Sequence, residues 1–198
     1  MTPVLRTIHG SHLYGLAHAG SDVDVYEVVL DGRGEHAIEG IAGGKHDSTR
    51  VGFQAFQRHL DMGVPQALEA LWSPVAEVHP VWRPFLASYQ PGYGAVITRH
   101  IRTLRHFGDY HLRNKQPTYD ELPVKTRKHA LRLSRNLRLF MERGRFNPRL
   151  DASEVAWLLD VVASDQHTFV KELRAMCPLE LPDSMFRHWR ADGDRSSI

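Results

Sequence analysis

The residues with the clearest chemical potential lie in one stretch, Gly10-Ser11-His12-Leu13-Tyr14-Gly15-Leu16-Ala17-His18-Ala19-Gly20-Ser21-Asp22-Val23-Asp24. Asp22 and Asp24 are spaced i, i+2, so on a β-strand both carboxylates project from one face and approach the same cations. Hard oxygen donors suit magnesium, which takes one or two carboxylates and completes its octahedron with water and substrate phosphate. Gly10 and Ser11 stand where a strand ends in a tight turn. A glycine there lets backbone approach a ligand, and exposed N–H groups with the Ser11 hydroxyl hold a phosphate oxygen. A metal site beside a phosphate site supplies the parts of a phosphoryl-type transfer, in which positioning and charge neutralisation carry most of the catalysis. Singly the pieces are common, and Ser-Asp-x-Asp also fits a surface turn.

The elements that must position these residues follow from periodicity. Residues 4–8 and 23–30 read as strands on either side of the glycine-punctuated turn, with further short strands near 37–41 and 45–51. From Phe53 the period becomes helical through Phe56 and Leu60. Gly63 ends that run, and Pro65 suits the first turn of a helix carrying Leu68, Leu71 and Trp72. Val81–Tyr89, hemmed by prolines, is at most a short helix, and Pro91-Gly92 is a break. Beyond it, helices are predicted at 94–114, 122–143, 151–163 and 165–176. In the second of these, Ala130, Leu133, Leu137 and Phe140 form one apolar stripe, and Lys128, Arg132, Arg135 and Arg138 fall mainly on other faces, available to a ligand. Gly144 is the expected stop, and Asp151 or Ser153 the expected N-cap of the next helix.

The joint pattern G-S-x3-G, then S-D-x-D-V after five residues, set between two predicted strands, resembles the signature of DNA polymerase β-like nucleotidyltransferases. The wider match is similar to the RlaP-like branch of predicted nucleotidyltransferases, through Phe53-Gln-Ala-Phe-Gln-Arg-His-Leu60, Pro65-Gln-Ala-Leu-Glu-Ala-Leu-Trp72 and Lys128-His-Ala-Leu-Arg132. It spans roughly residues 4 to 145, closely over the first 30 and loosely thereafter. Val64 stands where close relatives carry asparagine, and the C-terminal part of larger members is lacking. The resemblance implies transfer of a nucleoside monophosphate from a triphosphate to a hydroxyl on RNA, protein or a small molecule, with release of pyrophosphate. It implies magnesium, with manganese as the alternative, held by three carboxylates. Asp22 and Asp24 fill two of these roles. Asp47 is chosen as the third metal ligand and base, with Glu35 and Glu39 as alternatives. Gly10, Ser11 and Ser21 are expected to bind nucleotide. The implied fold is α+β: a small mixed sheet core over residues 1–92, a helical region over 93–190 packed on it, and a disordered tail over 191–198.

Charge adds a second theme. Residues 1–98 carry 6 Lys/Arg against 10 Asp/Glu, residues 99–149 carry 14 against 4, and residues 150–198 carry 5 against 9. The basic middle attracts polyanions. Within it Lys128 and Arg132 are the residues expected to neutralise a triphosphate. The rival readings are a catalytically silent nucleotide sensor or antitoxin-like module, and a basic RNA-binding protein. Thirteen histidines and one cysteine show no zinc spacing. One cysteine excludes an intrachain disulfide, and no segment approaches the roughly 20 apolar residues that span a bilayer. The expectation is a cytoplasmic protein without a membrane partner; the oligomeric state is left open.

Overall fold

A computed structural model of the chain describes residues 3–30, 37–40, 47–113 and 122–181; the side chains of 37–40, 47 and 106–113 lie outside that description. Glu35 and the tail from residue 191 also lie outside it.

The fold is α+β. Strands β1 (Leu5–His9), β2 (Asp24–Val29), β3 (Ala37–Gly40), β4 (Asp47–Gly52) and β5 (Glu77–Val78) form one mixed sheet in the order β3-β4-β2-β1-β5. β1 and β2 are antiparallel, with Thr7 opposite Tyr26 and His9 opposite Asp24. β2 and β4 are parallel in a register that sets Val25 beside Ser48, while β3 and β5 pair antiparallel at the two edges. Alternation dictates the faces. In β1, Leu5 and Thr7 point inward and Arg6 and Ile8 outward, and in β2 Tyr26 and Val28 are buried. The two-residue β5 carries too little periodicity to be seen in the sequence.

Helix α1 (Gly10–Tyr14) leaves β1 directly, and α2 (Phe53–Asp61) and α3 (Pro65–Leu71) pack on the sheet. After a 3-10 turn at Pro80–Trp82 and the short α4 (Arg83–Ser88), the chain runs through α5 (Tyr93–Arg113), α6 (Val124–Arg143), α7 (Ala152–Ala163) and α8 (Gln166–Met176). Gly144 closes α6 in the left-handed conformation. Asp151 caps α7 in a reciprocal box with Glu154. One apolar cluster joins the sheet to α2 and α3, and also takes in Val96, Phe140 and Phe146 from the helical half; a second fills the space among α5 to α8.

One expectation about α6 is corrected. Its middle is buried all round: Arg132, Ser134, Arg135 and Asn136 are as enclosed as the apolar stripe of Ala130, Leu133 and Leu137. The helix has neighbours on every side, with α5, α7 and α8 around it and α3 reaching its polar face, so two of its arginines are structural partners and not a free surface.

Gly63, with φ +65°, lets the α2–α3 turn lie directly on α5, where a Cβ would come within 2.6 Å of the Val96 Cα. A backbone atom cannot swing aside. Gly63→Ala is therefore expected to lose about 1–3 kcal/mol, from positive-φ strain plus the clash, read as a lower midpoint in urea unfolding.

Candidate active site

β1 ends at His9, and Gly10 turns the chain with φ +62° into α1. A Cβ on Gly10 would lie 1.9 Å from Oδ2 of Asp24, so only a glycine hydrogen separates this turn from the first carboxylate of β2. The antiparallel register that sets His9 opposite Asp24 produces the approach. Gly10 and Asp24 are thus brought together, with Ser11 next in the chain. The Ser11 hydroxyl makes no hydrogen bond to the described residues.

Asp22 is exposed, two residues before β2 begins, in a loop and not on the strand the sequence suggested. The strand starts later because residues 18–21 form a closed turn: Ser21 N–H donates to the His18 carbonyl at 2.9 Å, and His18 N–H donates to the Ser21 hydroxyl at 2.8 Å. Ser21 is therefore occupied in shaping the loop that delivers Asp22. His12 Nε2 lies 3.4 Å from the Ser21 carbonyl, holding the loop against α1. Neither Asp22 nor Asp24 has an ion pair or hydrogen bond among the described residues. Asp22 and Asp24, two positions apart in the chain and without a cationic side chain, are oxygen donors of the kind a divalent cation neutralises, and no group of three or more potential ligands stands together among the described residues. Asp47 opens β4, one residue before the Ser48–Val25 pair, which sets its backbone level with Asp24; its side chain lies outside the described residues. Glu39 is on edge strand β3, paired with Ser48.

Beneath the turn lies a network that sequence reasoning missed. Glu69 on α3 is 1% exposed, and Tyr14 Oη donates to its Oε2 at 2.7 Å. Asn136 Nδ2 donates to its Oε1 at 3.2 Å, the Arg132 guanidinium lies 3.5 Å from Oε1, and His9 Nε2 lies 3.4 Å from Oε2. Arg132 also covers the Tyr14 ring, 3.4 Å from its centroid, and donates to His129 Nδ1 at 2.7 Å. Burial alone would push the Glu69 carboxyl up, but Arg132, with His9 and the Tyr14 hydroxyl, holds it down at about 2. Burial and the adjacent Arg132 together lower His129 to about 3, so its ring is neutral and its Nδ1 accepts a hydrogen bond from the guanidinium. Burial lifts the Tyr14 hydroxyl well above its ordinary range. The signal for Glu69 was its place as the one charge in the helix Pro-Gln-Ala-Leu-Glu-Ala-Leu.

Lys128 and Arg132 part company. Arg132 is locked into the Glu69 network behind the Gly10 turn, whereas Lys128, one turn earlier on α6, is half-buried and has no ion pair among the described residues. No helix among the described residues is long and apolar enough to cross a membrane. Comparison with protein-family models, curated proteins and solved structures returns no match.

The network fixes a pH dependence. His129 is depressed below its unfolded value near 6.5, so stability is fully present above that pH and falls as the unfolded chain takes up a proton that the folded chain refuses down to about 3. Glu69 adds loss in the same direction as pH drops from its ordinary value of 4.5 towards 2. Denaturant titrations between pH 6.5 and 4.5 should show stability declining by up to about 1.4 kcal/mol per pH unit from His129, with a shallower slope in His129→Gln. Glu69→Ala, which leaves the Arg132 guanidinium buried without its carboxylate, should cost about 3–5 kcal/mol at neutral pH.

Proposed function

We propose that the chain is a metal-dependent nucleotidyltransferase that moves a nucleoside monophosphate from a triphosphate to an acceptor hydroxyl. The observation that carries this reading is the contact of Asp24 with the Gly10 turn, with Asp22 two residues earlier in the chain and neither carboxylate partnered by a cationic residue among the described residues. Hard oxygen donors suit magnesium or manganese, which Asp22 and Asp24 would hold, with Asp47 assigned as the third ligand. When bound, the metal neutralises the triphosphate and orients it for in-line displacement.

The chain's own groups supply the rest. The Gly10-Ser11 turn, which the missing Cβ of Gly10 lets close onto Asp24, is assigned to offer backbone N–H and the Ser11 hydroxyl to the phosphates. Lys128 is assigned to the triphosphate as a direct charge, and Arg132, its own charge offset by Glu69, is assigned to holding the turn from behind. Asp47 receives the proton of the acceptor hydroxyl as its oxygen bonds to the α-phosphorus. The α–β phosphoanhydride bond breaks, and pyrophosphate leaves with the electron pair.

The test is incubation with each α-labelled triphosphate and magnesium or manganese, with RNA, protein or small hydroxyl compounds as acceptors. Label should move to one acceptor class, and Asp24→Asn should cut the rate more than ~10²-fold because it removes a metal ligand. Gly10→Ala should do likewise, since its methyl displaces the Asp24 carboxylate. Transfer that persists in Asp22→Ala/Asp24→Ala refutes the site. Triphosphate binding without transfer to any acceptor would point to a nucleotide sensor.

A further inference from the structure

Away from the Gly10 turn, two clefts of 930 and 1200 Å³ share Leu71, Trp72, Arg143 and Arg145 as a common wall and so form one groove. Its sides carry Arg83, Arg143, Arg145 and Arg149, all exposed and none in an ion pair among the described residues. Of the carboxylates on its walls, Glu154 is bound through both oxygens to Arg135, and Asp151 caps α7. That leaves Glu77 against four unpaired arginines.

The loop presenting the arginines is built and fixed. Phe146 is buried against Trp72, with ring centroids 4.8 Å apart, and Arg135 donates to the Asn147 carbonyl. Asn147 Oδ1 accepts the Arg149 N–H, and Leu150 N–H donates to the Tyr14 carbonyl. Half-buried Trp72, packed on Phe140 and Phe146, and half-buried Tyr89, beside Phe85 with its hydroxyl on Asp61, line the groove as well.

We infer that this groove binds single-stranded nucleic acid, its arginines tracking the phosphates and Trp72 and Tyr89 stacking bases. Guanidinium groups suit phosphate, and aromatic rings suit unpaired bases regardless of sequence. An acidic peptide would use the arginines but not the aromatic rings. Binding here requires neither Asp22 nor Asp24 and stands apart from the transfer chemistry proposed above.

The test uses the full chain, EDTA and fluorescence anisotropy of labelled single-stranded oligonucleotides of about 12 nucleotides, within the range of known site sizes. Four arginine–phosphate contacts predict a slope near −2.8 for log affinity against log salt, about −0.7 per phosphate. Arg143→Ala/Arg145→Ala, at exposed positions that leave the core intact, should flatten that slope by about 1.4 and weaken binding ~10-fold or more at low salt. An abasic strand of equal length should also bind more weakly, and Asp22→Ala/Asp24→Ala should bind as the native chain does. The inference is overturned if the native chain does not bind, if duplex or polyglutamate binds as well as the single strand, if the arginine variant binds unchanged, or if the aspartate variant loses binding.

Discussion

Everything at the site rests on one buried carboxylate. Glu69 sits in the interior with Tyr14, Asn136, Arg132 and His9 around it, drawn from α1, α6 and β1. A charge placed there in isolation would be strongly disfavoured, and the surrounding donors are what make it tolerable. Because the four donors come from three different elements, satisfying Glu69 also fixes where those elements meet. The turn between β1 and α1 is held by this arrangement at both ends, at His9 before it and Tyr14 after it.

The division of labour within α6 follows from the same constraint. Arg132 turns toward Glu69, and Arg135, one turn of backbone further round, binds Glu154 at the start of α7 with two 2.8 Å hydrogen bonds. Asn136 bridges them, donating to Glu69 and accepting from Arg135. A helix whose middle is enclosed can hold such residues only because every charge meets a counter-charge or an amide. Arginines at its end and in the following loop, lacking that enclosure, face the groove.

Much of the fold was legible in the sequence because period-2 and period-3.6 patterns are sharply separated at Phe53. The helix stops and starts at Gly63, Pro65, Gly144 and Asp151 are local chemistry that tertiary contacts did not override. The approach of Gly10 to Asp24 was legible in part: the flanking strands could be read, but helix α1 between them and the His9–Asp24 register could not. Two things were not. The position of Asp22 before the strand depends on the hydrogen-bonded turn at His18–Ser21, which no period reports. The burial of Arg132 depends on Glu69, 63 positions away in the chain, and charge patterning on a helix cannot distinguish an arginine facing water from one facing a hidden carboxylate.

The hydrogen bonds running Tyr14–Glu69–Asn136–Arg135–Glu154 form one unbroken line from the glycine turn to the first residues of α7. Members of such a line cannot be exchanged independently, because each substitution changes what its neighbours are worth. Descendants of this chain would therefore be expected to trade these five positions in concert or keep them all, so that genetic drift here is channelled by epistasis and not by the tolerance of any single position.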